Sequence, residues 1–157
     1  MSTLSTPVQA AVQFFEHLSP ADIARIDQVY SADAYFKDPF NEVNGVGAIT
    51  AIFEHMFVKV DKPTFAVTST IAQGDEAFLV WDFHLQFKGE TEARMIRGSS
   101  HLRFDANGKI AYHRDYWDAA EELYEKLPVI GARGCDGEII GLIRAQIGGA
   151  DRKAGKR

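Results

Sequence analysis

Three side chains in this sequence are placed for proton chemistry. Asp38 stands immediately before Pro39, and His113 and Asp115 lie two residues apart in a run of alternating character. In an extended chain a spacing of two puts both side chains on one face, whichever way that face points. An imidazole and a carboxylate that share an apolar cavity can exchange protons near neutral pH, because burial and mutual charge move such groups toward it. Each residue also has a plainer reading. An Asp before Pro ordinarily ends a strand or starts an Asx turn. A last strand of the opposite orientation would put His113 and Asp115 on the outer sheet face, with Tyr112 and Arg114 inward.

Composition removes several other chemistries. The single cysteine, Cys135, leaves no internal disulfide and no cysteine-based metal site, and the five histidines show no metal-ligand spacing. No metal and no cofactor are therefore expected. Gly45-Val46-Gly47 is too short and badly placed for a phosphate loop. A formal net charge of −5 gives no support to nucleic acid or anionic membrane as a partner. No segment approaches membrane-spanning length, and the N-terminus lacks a basic stretch followed by an apolar run, so a cytoplasmic protein is expected. Eleven Phe, five Tyr and two Trp supply either a large core or an aromatic-lined cavity, and composition alone leaves both open.

The elements that would position these residues follow from periodicity. At 157 residues the chain suits one domain, taken as residues 1–150 with a disordered basic tail at 151–157. Thr6-Pro7 and Ser19-Pro20 each place a capping residue before Pro at a first helical position. The first helix then carries Val8, Ala11, Val12, Phe15 and Leu18 on one stripe, and the second carries Ile23, Ile26 and Val29 or Tyr30. Tyr35 to Asp38 reads as a short strand stopped by Pro39. A third helix opens at Asn44-Gly45 and turns Ile49, Ile52, Phe53, Met56 and Val60 inward.

From Pro63 the period drops to two. Thr64–Gln73, Ala77–Lys88, Glu92–Phe104 and Lys109–Trp117 are four strands joined by short turns, which favours an antiparallel meander. Trp81, Phe83, Leu85 and Phe87 share one strand face, opposite Asp82, His84 and Gln86. Ile96, Gly98, Ser100, Leu102 and Phe104 share another, opposite Arg97, Ser99, His101 and Arg103. On the last strand Ile110, Tyr112, Arg114 and Tyr116 alternate with Ala111, His113, Asp115 and Trp117. A helix over Ala119–Leu127 and an amphipathic stretch over Glu138–Ile147 complete the pattern. Helices first and consecutive strands after them mean an α+β fold.

This order resembles the nuclear transport factor 2-like superfamily, which includes ketosteroid isomerases, SnoaL-like polyketide cyclases, scytalone dehydratase and limonene epoxide hydrolase. The run from Tyr30 to Phe40 is similar to the isomerases' F-A-D-D-A-x-x-x-D-P segment, whose last Asp, here Asp38, is the general base. His101-Leu102-Arg103-Phe104 through Gly108-Lys109-Ile110 is similar to their H-F-R-F…G-K-V hairpin. The likeness covers roughly residues 7 to 117. It implies a cone-shaped domain, with N-terminal helices packed on a strongly curved, mostly antiparallel sheet and extra helices at the C-terminus. It also implies that His113, Asp115 and Trp117 face the cavity.

Two positions depart from the isomerase pattern. The Tyr and the neutral Asp that hold the enolate oxygen there correspond here to Phe14 and Ser100. Losing one such donor typically costs on the order of 100-fold or more in rate, so steroid isomerisation by that mechanism is not expected.

The resulting expectation is a pocket for a small apolar molecule, with Asp38 as general base and His113 as acid or substrate orienter. Asp115 would set the His113 tautomer or polarise substrate, and Ser100 would add a hydrogen-bond donor. Phe14, Phe53, Phe57, Trp81, Phe83 and Trp117 would line the pocket. An isomerase, cyclase or dehydratase fits this, and a non-catalytic binding or dimerisation module is the alternative. Epoxide hydrolysis would want an Asp-Arg-Asp set, but Arg97 and Arg114 fall on the opposite face from the acids. A homodimer is expected, through the polar outer face of Asp82, His84, Gln86, Arg97, His101 and Arg103.

Overall fold

The computed structural model describes residues 4 to 124. The expected amphipathic stretch at Glu138–Ile147, the end of the Ala119–Leu127 helix and the basic tail lie outside the described residues. Within them run α1 (Thr6–Glu16), α2 (Pro20–Ile23), a 3-10 turn (Ile26–Gln28), β1 (Tyr30–Lys37), β2 (Glu42–Asn44) and α3 (Val46–Lys59). The long strands β3 (Val60–Gln73), β4 (Glu76–Phe87), β5 (Arg94–Phe104) and β6 (Ile110–Tyr116) follow, and a π-helical turn spans Ala120–Tyr124. No helix among these is long and apolar enough to cross a membrane.

The six strands form one unclosed sheet in the order β2-β1-β6-β5-β4-β3. The long strands make the expected antiparallel meander. The helices cover its inner face, with Val8, Ala11 and Phe15 of α1 and Ile49 and Phe53 of α3 buried against the strands.

Ser19 caps α2 as expected: its backbone N–H and its hydroxyl both donate to Asp22 Oδ2, at 3.0 and 2.5 Å. That helix ends after one turn, however. Tyr30 belongs to β1, which starts five residues ahead of the short strand read from the sequence, and the Ile110 N–H donates to the Val29 carbonyl at 2.8 Å. The reason is β6, which offers a free edge that β1 pairs in parallel, Phe36 with His113 and Lys37 with Arg114.

The β6 register departs from simple alternation. Arg103 faces Tyr112 but Phe104 faces Ile110, so Ala111 is an extra residue. Ile110 therefore turns inward and is fully buried, on the same side as His113 rather than with Tyr112 and Arg114. The faces of β4 and β5 follow the expected parity, with Trp81, Leu85, Phe87, Ile96, Ser100, Leu102 and Phe104 buried.

The outer face is less polar than the residues from Trp81 onward suggested. Ile71, Phe78, Val80 and Tyr116 stand exposed on it, and His101 stacks on Phe78 with ring centroids 4.5 Å apart.

Candidate active site

Because β1 and β6 run parallel, their C-terminal ends emerge together. The register Lys37 to Arg114 brings the next residue of each strand, Asp38 and Asp115, to the same end of the sheet.

Asp38 satisfies both readings of its sequence context. Its Oδ1 accepts the N–H groups of Phe40 (2.8 Å) and Asn41 (2.6 Å), and the Asn41 Nδ2 donates to both carboxylate oxygens at 3.1 Å. That is an Asx turn, enforced where Pro39 stops the strand. The same carboxylate lines the inner cavity. Burial raises its pKa above the ordinary carboxylate value, against the opposing pull of the hydrogen bonds from Asn41 and Phe40, and the Asp115 charge adds to the rise.

His113 and Asp115 face inward and touch, with Nε2 2.7 Å from Asp115 Oδ1. The same oxygen accepts the Ser100 hydroxyl at 2.5 Å, and Ser100 Oγ accepts the indole N–H of Trp81 at 2.8 Å. On the other side of the ring, His113 Nδ1 lies 2.7 Å from the hydroxyl of Tyr30. Donor logic fixes the directions. Indole N–H can only donate, so Ser100 directs its own proton to Asp115. Where Asp115 acts as a carboxylate it can only accept, so a neutral imidazole at His113 would donate from Nε2 and accept from Tyr30 at Nδ1. Burial, with the Asp115 charge second, holds the Tyr30 phenol well above its usual pKa, so it stays a donor.

The chain of contacts thus runs from Trp81 and from Tyr30 toward a single carboxylate. Asp115 Oδ2 receives no hydrogen bond from the described residues.

The polar groups open into a partly enclosed cavity of about 130 Å³. Asp38, Ser100, His113 and Asp115 line it, as do Phe53, Trp81, Phe83 and Trp117 among the expected aromatic residues. Phe14 and Phe57 do not: they pack against the core from outside the lining, and Phe15 takes the position expected of Phe14. Helical spacing gives a stripe rather than a single residue, and here the stripe turns Phe15 inward.

Gly98 shapes the wall. A Cβ there would collide with the six-membered ring of Trp81, whose Cζ2 would lie 2.7 Å away. The missing side chain lets the indole lie across β5 and reach Ser100. A second, open groove borders Lys37, Asp38, Arg114, Asp115 and Trp117, so the two carboxylates and Trp117 form a wall common to both spaces.

Tyr30 is the partner that sequence reading missed, because the helical stripe of α2 seemed to extend to it. The available signal was the even spacing of Tyr30, Ala34 and Phe36, which are all buried on β1.

A SnoaL-like domain family matches residues 11–113, more than half of the chain, including Tyr30, Asp38, Ser100 and His113. The chain belongs to the SnoaL-like family. Its fold is shared by solved structures of low sequence identity. A Catenulispora acidiphila protein with a ketosteroid isomerase-like fold, solved in complex with trimethylamine, is 16% identical with a TM-score of 0.68, over 80% of this chain and 96% of that one. A Shewanella putrefaciens protein described as a SnoaL-like polyketide cyclase is 18% identical with a TM-score of 0.66, over 79% and 100%. An LEH-like epoxide hydrolase of Mycobacterium tuberculosis is 15% identical with a TM-score of 0.62, over 90% and 93%. Comparison with curated proteins found no match. The SnoaL-like fold holds both cyclases and epoxide hydrolases, so the chemistry of this chain has to be argued from its own site.

Proposed function

We propose that this SnoaL-like domain is a cofactor-independent isomerase, cyclase or dehydratase that moves a proton on a small, mostly apolar carbonyl or hydroxyl compound. The observation that carries this reading is the convergence of Asp38, His113 and Asp115 on one apolar cavity, with His113 held between Tyr30 and Asp115. Asp38 is the general base: a carboxylate made more basic by burial is a better match to neutral pH than an ordinary one. Asp115 holds a substrate hydroxyl through Oδ2. His113 acts behind it as a positioning residue, since both of its ring nitrogens are engaged. The protonated Asp38 then returns that proton, to another atom of the substrate in isomerisation or cyclisation, or to the departing hydroxyl, which leaves as water, in dehydration.

Epoxide hydrolysis by an Asp-Arg-Asp set is less well supported. Arg97 is exposed on the outer face, and Arg114 lies over the Tyr116 ring at 4.7 Å, bordering only the open groove. Turnover assays on a panel of cyclic ketones, enones and alcohols test the proposal; unchanged rates in both Asp38→Asn and His113→Ala would sink it.

One observation favours a second reading, a binding module without chemistry. The hydrogen bonds that Asp38 accepts from its own turn give it a structural task that needs no substrate. Binding of panel compounds by the unaltered protein, with turnover of none of them, would select that reading. In either case a second copy of the chain is proposed to cover the exposed outer-face residues Ile71, Phe78, Val80 and Tyr116, which neighbour one another through the β3–β4–β5–β6 register.

A further inference from the structure

The cavity's size and the charges on its wall narrow the ligand to a definite class, an inference that rests on the reading of this cavity as the ligand site. At about 130 Å³ it is close to the roughly 150 Å³ apolar cavity that accommodates one benzene molecule in another protein. A fused two-ring skeleton, with ten ring carbons against benzene's six, exceeds that space.

The wall also has a sign. Its described lining residues include two carboxylates, Asp38 and Asp115, and no Lys or Arg. The nearest cations do not line it. Lys37 pairs with Glu42 at 3.2 Å, and Arg114 lies over Tyr116. Arg94 begins the inner row of β5, beyond Ile96, with its Nη2 held by Glu90 at 3.0 Å and Glu92 at 3.6 Å and its guanidinium over the Phe87 ring, while its Nε and Nη1 are buried without a partner among the described residues. An anion entering the cavity would meet two like charges in a poorly hydrated space, with no Lys or Arg among its described lining residues to offset them, which is unfavourable. A donor meets the opposite situation. Among the described residues, Asp115 takes both of its hydrogen bonds on Oδ1 and leaves Oδ2 open, and Asp38 Oδ2 accepts only the Asn41 amide. Around these acceptors stand Phe36, Phe53, Phe65, Trp81 and Trp117, which suit hydrocarbon and, through their ring faces, a cationic nitrogen.

We propose that the site selects a compact alcohol or amine of about one ring, its O–H or N–H directed at Asp115 Oδ2 and Asp38. Carboxylates, phosphates and fused-ring compounds are excluded.

Both tryptophans of the chain line the cavity, so intrinsic fluorescence reports directly on its occupation. The full chain would be titrated at pH 7 with cyclohexanol, cyclohexylamine, cyclohexanecarboxylate and the two-ring alcohol 2-decalol. The alcohol and the amine are expected to bind at least about tenfold more tightly than the carboxylate and the two-ring alcohol, and Asp115→Asn to weaken the amine by a similar factor. Equal affinity for the carboxylate, equal affinity for 2-decalol, or no binding by any of the four overturns the proposal on the unaltered protein. Turnover is read separately. Selective binding with no turnover of any panel compound removes the proton-transfer reading and leaves this one standing. Turnover of a fused-ring or anionic substrate does the reverse.

Discussion

The hydroxyl of Tyr30 lies 2.7 Å from Nδ1 of His113, across a sequence separation of 83 residues. The two rings are nearly parallel, 6° apart with centroids at 6.0 Å, and the phenol is fully buried. Among the described residues no other hydrogen bond holds that side of the imidazole, so Tyr30 helps set which nitrogen of His113 faces Asp115.

Removing that hydroxyl should therefore be felt twice. Tyr30→Phe leaves a buried ring nitrogen without its donor, and urea denaturation is expected to show a loss of about 1–3 kcal/mol. It also removes the partner that orients the ring from the Nδ1 side, so the pH profile of turnover should change shape while KM stays within about twofold. A profile that merely scales down would assign Tyr30 to packing alone.

Gly98→Ala tests the wall. Overpacking of this kind typically costs about 1–3 kcal/mol. The displaced indole should lose its bond to Ser100, shift the tryptophan emission and weaken ligand binding. Gly98→Ala with unchanged fluorescence and affinity would show that the Trp81–Ser100–Asp115 chain does not depend on the notch.

Much of this was legible in advance and some was not, for physical reasons. Period-two alternation put Trp81, Phe83 and Ser100 on the inner face, because strand parity survives any tertiary arrangement that keeps one face buried; for His113, Asp115 and Trp117 it gave a shared face only, and the family resemblance supplied the inward direction. Parity fails at an inserted residue, and Ala111 is one: Ile110 moved to the inner side, which no pattern in the strand itself announces. Phe14 and Phe15 illustrate the coarser resolution of a helical stripe, where neighbours differ by about 100° of rotation and only packing selects between them. Tyr30 was hidden because a one-turn helix and a 3-10 turn look, in sequence, like one longer helix.

The raised pKa of Asp38 makes a prediction about stability and pH. A carboxyl whose pKa is higher in the folded state contributes stability that is fully present below its unfolded value and is lost as pH rises through the folded one. The unfolded value is about 4. Thermal melts should therefore show a stability component falling as pH rises from that region toward neutrality. Asp38→Asn keeps an oxygen for the Asx turn and removes the charge, so it should flatten this component and match or exceed the parent at pH 7. A variant less stable than the parent at pH 7, with the slope intact, would remove burial of Asp38 as its cause.

The outer face can be tested without touching the cavity. Phe78→Glu places a charge in the middle of the exposed row Ile71, Phe78, Val80, and it stands on the opposite side of β4 from Trp81 and Leu79. Light scattering should find the parent as a dimer and Phe78→Glu as a monomer, with cyclohexanol affinity unchanged. A parent that is already monomeric at 100 µM would leave that face to solvent.

The parallel pairing of β1 with β6 also dictates an order of events. β3 to β6 can zip into a meander through local hairpins, whereas β1 must wait for a strand some eighty residues downstream before it has an edge to join. Contacts of such long sequence separation carry a larger loop-closure penalty and tend to form late. Tyr30 and Asp38 come from one side of that seam and His113 and Asp115 from the other. Assembly of the chemical apparatus is thus coupled to the closing step of folding, and local opening of the seam would disarm the protein while most of its sheet stayed intact.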